Sequence, residues 1–404
     1  MSPTNTVTAA TEAGAAVPSS EQLIERAVAL RELLSEDAPV ADRDRVLTSR
    51  VVDAVQDAGL FKLLTPKRLG GYETDAATML EVLIELGRGC SNTSWVGAVI
   101  NFAAWNLALF GEQAQDDVWK NDPDARVCWV FSPTAKVERT EGGIIVTGRW
   151  PFASGCAHVQ WATLAVPLGM TDRGPELAMA LLPMTDLTIE DTWNVAGIRG
   201  SGSNTLIAEQ AFVPEHRLLP LAPAMEGKSL NPYPEETLYR SSFNIGGLAL
   251  LAPQIGLART LLEWVLQKAN GRPIPPAGVK DQSEWLPFQT AVAEASVRID
   301  SAYLLACRAA VDVDAAAQTG ALPSDFIRTR MRYEQGWASS ELKAAVSVLM
   351  GEAGTSALAD GETPQRLWRD ITTANSHIGF RLAALGRQHG MALAGKDVGR
   401  IWMG

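Results

Sequence analysis

Histidine is scarce in this chain, with four in 404 residues, and cysteine is equally scarce. The cysteines (Cys90, Cys128, Cys156 and Cys307) form no CxxC pair and have no zinc-like spacing to a histidine. No metal centre is therefore expected, and reduced thiols in a cytoplasmic protein are. Several catalytic signatures are absent too. No GxGxxG follows a strand pattern and no GxxxxGK[ST] occurs, which argues against a Rossmann dinucleotide site and a P-loop. GxSxG, HExxH and EF-hand loops are also missing. By inspection, no apolar run reaches the roughly 18–20 residues that would span a bilayer. The opening stretch "MSPTNTVTAATEAGAAVPSS" has neither a basic n-region nor an apolar h-region. Residues 1–20 are expected to form a flexible tail. A formal net charge of −11 argues against nucleic-acid and anionic-membrane partners.

What is present is a large apolar content, 47% of residues, enough for an extensive core in more than one domain. Its periodicity changes twice. Residues 21–124 are helical in pattern: "EQLIERAVALRELL" spaces Leu23, Ala27, Leu30 and Leu34 at helical steps, and "AATMLEVLIELGRG" does so with Met79, Leu83 and Leu86. "TPKRLGGYE" breaks the pattern as a loop. Residues 125–225 carry short β-like runs such as "GGIIVTGRW", "WATLAVPL", "ELAMALLPM" and "NTLIAEQAFVP". From 226 to 404 the helical period returns in four stretches, the first interrupted at Gly246-Gly247 and Pro253. Helices, strands and helices are thus segregated, the signature of an α+β fold: an N-terminal helical domain, a central β domain and a C-terminal four-helix bundle.

Chemistry-bearing candidates are few. Ser132, beside Pro133, either starts a turn or presents a hydroxyl to a polar ring edge. In "GRWPFASG", Trp150 and Phe152 would give an apolar wall while Ala153, Ser154 and Gly155 let backbone approach a ligand; by itself the stretch reads first as a strand ending in a turn. Arg199 in "WNVAGIRGSGSNTL" is either a ligand-facing guanidinium or part of a solvated hairpin end. His377, in the helical-looking "LWRDITTANSHIGF", is either a packed helix residue or a proton-handling group.

Four segments, "GLFKLLTPKRLGGYE", "GRWPFASG", "GIRGSGSN" and "RDITTANSH", resemble the acyl-CoA dehydrogenase superfamily. Together with "SWV" and "LALFGEQAQDDVW", they resemble its flavin-dependent monooxygenase branch, the oxygenase halves of two-component systems. The similarity runs from about Glu21 to about Leu393. The resemblance implies an acyl-CoA dehydrogenase-like fold and a homotetramer, with flavin between the β domain and the bundle and partly across a subunit interface. It also implies reduced FMN (with FADH2 as the alternative), O2 as co-substrate and a separate NAD(P)H:flavin reductase. A C4a-hydroperoxyflavin would hydroxylate a small aromatic or heteroaromatic substrate, or oxygenate nitrogen or sulfur.

By the same likeness, His377 and Ser154 are the catalytic candidates. Ser132, Trp150, Phe152, Ala153, Ser154, Arg199 and Arg369 are the flavin-binding candidates, and Asn101, Trp105, Ser201, Asn204 and His377 the substrate-pocket candidates. Arg366 is structural or approaches a flavin phosphate, and Arg369–Asp370 form an ion pair or position their helix. Relatives often carry a pocket histidine where this chain has Ala103, so Asn101, Trp105 or Asn106 would stand in for it. The rival is an acyl-CoA dehydrogenase or oxidase with bound FAD. That chemistry needs a carboxylate base, and none follows Asp370 in "RDITTANSHIGF". A non-catalytic flavin-binding homologue is the second rival.

Overall fold

The computed structural model describes residues 17–171 and 174–399. The expected tail over residues 1–20 therefore lies outside the described residues as far as residue 16. The first helix, α1 (Ser20–Asp44), starts at a capping box: the Ser19 hydroxyl and the Gln22 side chain each satisfy the other's backbone N–H. It buries Leu23, Ala27 and Leu34. After α2 (Ser49–Asp57) come α3 (Ala76–Gly89), which buries Met79, Leu83 and Leu86, and α4 (Ser91–Leu107). Nearly every α4 side chain is buried, so this helix is walled in on all sides. Helix α5 (Glu112–Trp119) closes the N-terminal domain.

The β domain pairs two four-stranded sheets. One has β1 (Val127–Val130), β4 (Trp161–Thr171), β5 (Gly174–Pro183) and β8 (Leu218–Pro220) in that order; β1 runs parallel to β4 and the others are antiparallel. The other is antiparallel, with β2 (Lys136–Thr140), β3 (Gly143–Ala153), β7 (Asn204–Pro214) and β6 (Thr188–Glu190). The pairing of β3 with β7 shifts register between Trp150 and Ala153, where Phe152 takes a left-handed φ of 69°. That bulge turns the end of β3 towards the bundle.

A short α6 (Leu221–Met225) leads to α7 (Asn244–Ala269), α8 (Leu286–Thr319), α9 (Asp325–Ala353), α10 (Thr363–Asn375) and α11 (Leu382–Leu393). Two expectations need correction. Helix α7 runs unbroken through Gly246-Gly247 and Pro253. It also contains an 18-residue window long and apolar enough for a membrane span, with mean hydropathy 1.4; 72% of that window is buried inside the protein. Such a helix is apolar all round because helices enclose it. A Cβ on Gly256 would lie 2.4 Å from the Ile84 carbonyl, so only glycine permits the close crossing of α7 with α3. The second correction concerns the last bundle stretch. It is two helices, α10 and α11, separated by a 3-10 turn at Ile378–Phe380.

Candidate active site

A cavity of about 530 Å3 opens where the three domains meet. Helix α4 contributes Trp95 and Phe102, the end of β1 contributes Trp129 and Phe131, and the β3 bulge contributes Phe152 and Ser154. The loop before β7 adds Trp193 and Ser203, α7 adds Phe243 and Asn244, and α9 adds Arg332 and Gln335. His377 and Phe380 complete the wall. Aromatic rings dominate this lining. Phe102 lies edge-on to Trp129 at 5.1 Å, and Trp129 stacks with Phe131 at 5.9 Å. Phe152, 68% exposed, meets Trp193 edge-on at 6.2 Å.

Two polar devices stand out against these rings. The first is a chain of hydroxyls. Ser201 Oγ donates to the Ile198 carbonyl at 2.7 Å and lies 2.7 Å from Ser203 Oγ, which is itself 2.7 Å from Ser154 Oγ. Trp95 Nε1 donates to Ser154 Oγ at 3.2 Å. The second is His377. It sits past the end of α10 and caps the 3-10 turn, its Nδ1 accepting the Gly379 N–H at 3.1 Å. The expected helical position is corrected accordingly: the helix stops at Asn375. Trp95 and Phe380 meet the imidazole edge-on at 5.9 and 6.1 Å. Burial pushes its pKa down to about 4, so the ring is neutral at pH 7. Since Nδ1 accepts, the proton of the neutral ring resides on Nε2, which has no partner among the described residues.

The loop carrying this hydroxyl chain is tied to α10. Asp370, fully buried, accepts from the Ile198 N–H, from Ser91 Oγ and from Asn92 Nδ2. A Cβ on Gly197 would lie 2.0 Å from the Arg369 carbonyl, so glycine is required for the loop to press so closely on the helix.

Of the candidates, the structure brings His377, Ser154 and Phe152 to the cavity wall, with Ser201 one hydrogen bond behind. The others are elsewhere. Trp150 is fully buried between the sheets, donating to the Ala165 carbonyl at 2.9 Å, and Ala153 is buried beside it. Asn101 uses its amide on the backbone of Leu60, Gly97 and Leu63, and Trp105 donates to the Leu238 carbonyl. Both are internal ties of α4; Asn106 on the same helix is fully buried with neither side-chain amide atom hydrogen-bonded, and Ala103 is wholly buried there too. Asn204 accepts from the backbone of Thr192 and Trp193 and shapes the loop. Arg199 and Arg369 both engage Asp42; Arg369 does not pair with Asp370, and its guanidinium lies 2.7 Å from Asp42. Arg366 is buried against Thr363, and Ser132 lies just past β1, outside the cavity lining.

Sequence reasoning passed over Trp95, Ser203, Trp129 and Arg332. Trp95 and Ser203 stood inside the quoted "SWV" and "GIRGSGSN" segments. Arg332 carried a signal as well, falling with Arg328 and Gln335 at helical spacing.

No carboxylate lines the cavity among the described residues, so no group is placed to remove a substrate α-proton as an acyl-CoA dehydrogenase requires. The described residues also contain no group of His, Cys, Asp and Glu able to hold a metal. A flat, ring-lined space bordered by hydroxyls, with the buried Trp129 Nε1 unpartnered beside it, suits a planar ring with a polar edge. An isoalloxazine has that shape.

The helical, β and bundle order, with a ring-lined cavity at the junction, defines an acyl-CoA dehydrogenase-fold flavoprotein. Residues 21–121 match the model of the acyl-CoA dehydrogenase N-terminal domain, and residues 248–382 that of its C-terminal domain. The chain is 32% identical over 364 residues to the flavin-dependent monooxygenase oxygenase subunit HsaA of Rhodococcus jostii (strain RHA1), covering 88% of this chain and 93% of that one. It is 31% identical to the oxygenase component of the FADH2-dependent resorcinol hydroxylase of Rhizobium sp. (strain MTP-10005), over 93% of this chain and 95% of that one. XiaF from Streptomyces sp., solved with FADH2 and glycerol, superimposes with a TM-score of 0.88 at 30% identity, covering 94% and 96%.

The chain belongs to the oxygenase components of the two-component flavin-dependent monooxygenases. It is a monooxygenase that uses reduced flavin, delivered by a separate reductase, together with O2.

Proposed function

We propose that the cavity hydroxylates a small aromatic substrate held beside flavin, with His377 as the hydrogen-bond donor at the reacting end. The supporting observation is the tautomer: Gly379 N–H occupies Nδ1 and leaves Nε2–H without a partner among the described residues, on a ring that lines the cavity. A neutral imidazole whose pKa lies near 4 is a poor base for a phenol, but a good fixed donor to a developing oxyanion. Bound reduced flavin supplies the activation of O2. The protein's part is to hold the ring edge through Ser154 and Ser203 and to orient the substrate at His377. The aromatic walls keep water out.

We further propose a cytoplasmic homotetramer that uses FMN, with FADH2 as the alternative. The four cysteines are unpaired, in keeping with a reducing compartment. Exposed Val297, Leu304 and Val311, seven residues apart along α8, support self-association.

The test is rapid mixing of the protein, loaded anaerobically with reduced FMN or FADH2, against oxygenated buffer. An absorbing transient that precedes oxidised flavin, and decays with product formation when a phenol is present, is the expected result. Single-step flavin oxidation with both cofactors would overturn the proposal.

A further inference from the structure

Helix α9 presents Arg328, Arg332 and Gln335 to the cavity at helical spacing. Two of them are occupied. Arg328 pairs with Asp325, and Gln335 donates to the Asn244 carbonyl at 3.1 Å. Arg332 is different: it has no hydrogen bond, ion pair or ring contact among the described residues. Burial pushes its pKa down to about 10, and no carboxylate offsets that, yet it remains protonated at neutral pH. A desolvated guanidinium without a counter-charge is costly to hold. Among the described residues no acid lines the cavity to relieve it, and Phe243 and Phe380 line the same cavity.

We propose that the substrate carries a carboxylate that pairs with Arg332, so that this residue selects anionic aromatics and fixes which end of the ring faces His377. The proposal rests on the reading that this cavity takes an aromatic substrate. A guanidinium fork suits a carboxylate, since it offers two parallel N–H donors. The flavin phosphate shares that chemistry and is the competing source.

The experiment compares binding of 4-hydroxybenzoate and its neutral counterpart 4-hydroxybenzamide, read by quenching of the cavity tryptophans, in the wild type, Arg332→Gln and Arg332→Lys. Reduced FMN affinity is measured on the same proteins. The expected result is a loss of roughly tenfold to a hundredfold in 4-hydroxybenzoate affinity for Arg332→Gln. The amide and FMN should be unaffected, and lysine should restore part of the loss. The Tm of ligand-free Arg332→Gln should equal or exceed that of the wild type, because an unpaired, largely desolvated charge is removed. A loss confined to FMN would assign the guanidinium to the flavin phosphate and overturn the proposal. Equal binding of acid and amide by the wild type would overturn it while leaving an aromatic pocket standing. A wild type that binds neither would overturn the pocket reading as well. A sharply lowered Tm would make Arg332 structural.

Discussion

The Ile198 N–H donates to Asp370 Oδ1 at 2.6 Å, joining the loop before β7 to the buried face of α10. The other carboxylate oxygen takes Ser91 Oγ at 2.5 Å and Asn92 Nδ2 at 3.2 Å, so one side chain ties three segments together. The hydroxyl chain Ser201–Ser203–Ser154 starts from the carbonyl of that same Ile198. Asp370→Ala would orphan donors on the loop and on α4. It should destabilise the fold by about 2–4 kcal/mol and weaken flavin binding by releasing the loop. Thermal denaturation with and without reduced FMN checks this, and an unchanged Tm would remove Asp370 from the role of tie.

His377 makes a prediction with a definite sign. Its folded pKa, near 4, lies below the ordinary imidazole value of 6.5, so the unfolded chain binds a proton first as the solution is acidified. Stability from this residue is complete above pH 6.5 and is lost as the pH falls towards 4. His377→Asn should flatten the wild-type fall in Tm across that window. In turnover the same variant should lower product formed per flavin oxidised by about a hundredfold, with reduced FMN affinity kept. An unchanged coupling ratio would exclude the donor role.

The element pattern was legible because it is local. Leu23, Ala27 and Leu34 on α1, and Met79, Leu83 and Leu86 on α3, fall on the faces that their spacing predicts. The misreadings were of two physical kinds. Pro253 looked like a helix breaker, yet α7 passes through it because burial on every side outweighs the lost hydrogen bond. At His377 the helix ends without a Gly or Pro to mark the stop, so the run looked continuous. Among site residues, Asn101 and Trp105 looked like pocket groups because they flank Ala103, where relatives often carry a pocket histidine. Their partners, Leu60, Leu63 and Leu238, are distant in sequence, and no local pattern reports such contacts. His377 and Ser154 became candidates through family resemblance; their own spacing left both readings open.

Ser154, just past the end of β3, and Trp150, four residues earlier on that strand, should respond differently to mutation. Ser154 Oγ faces the cavity and takes the Trp95 N–H, whereas Trp150 points between the sheets to Ala165. Ser154→Ala removes one neutral hydrogen bond to a ring edge, so reduced FMN should bind roughly five- to tenfold more weakly. Trp150→Phe leaves the Ala165 carbonyl unpaired and should cost about 1–3 kcal/mol of stability with flavin affinity retained. Titration with reduced FMN, paired with denaturant melts, separates the two. A Trp150→Phe protein that is stable but loses flavin would return that residue to the binding site.

On α8, Val297, Leu304 and Val311 are 64%, 67% and 64% exposed, and seven-residue steps put them on one face within about 20° per step. Charged or small residues would be expected at such positions if that face met only water. Leu304→Glu places a carboxylate in the middle of the stripe, where docking a second copy would have to desolvate it. The variant should run as a smaller species than the wild type by light scattering. Where flavin is held partly across the interface, as the family resemblance implies, its affinity for reduced FMN should fall with assembly and recover at high protein concentration. A Leu304→Glu protein of wild-type mass would rule out this face of α8 as the interface, whatever the oligomer proves to be.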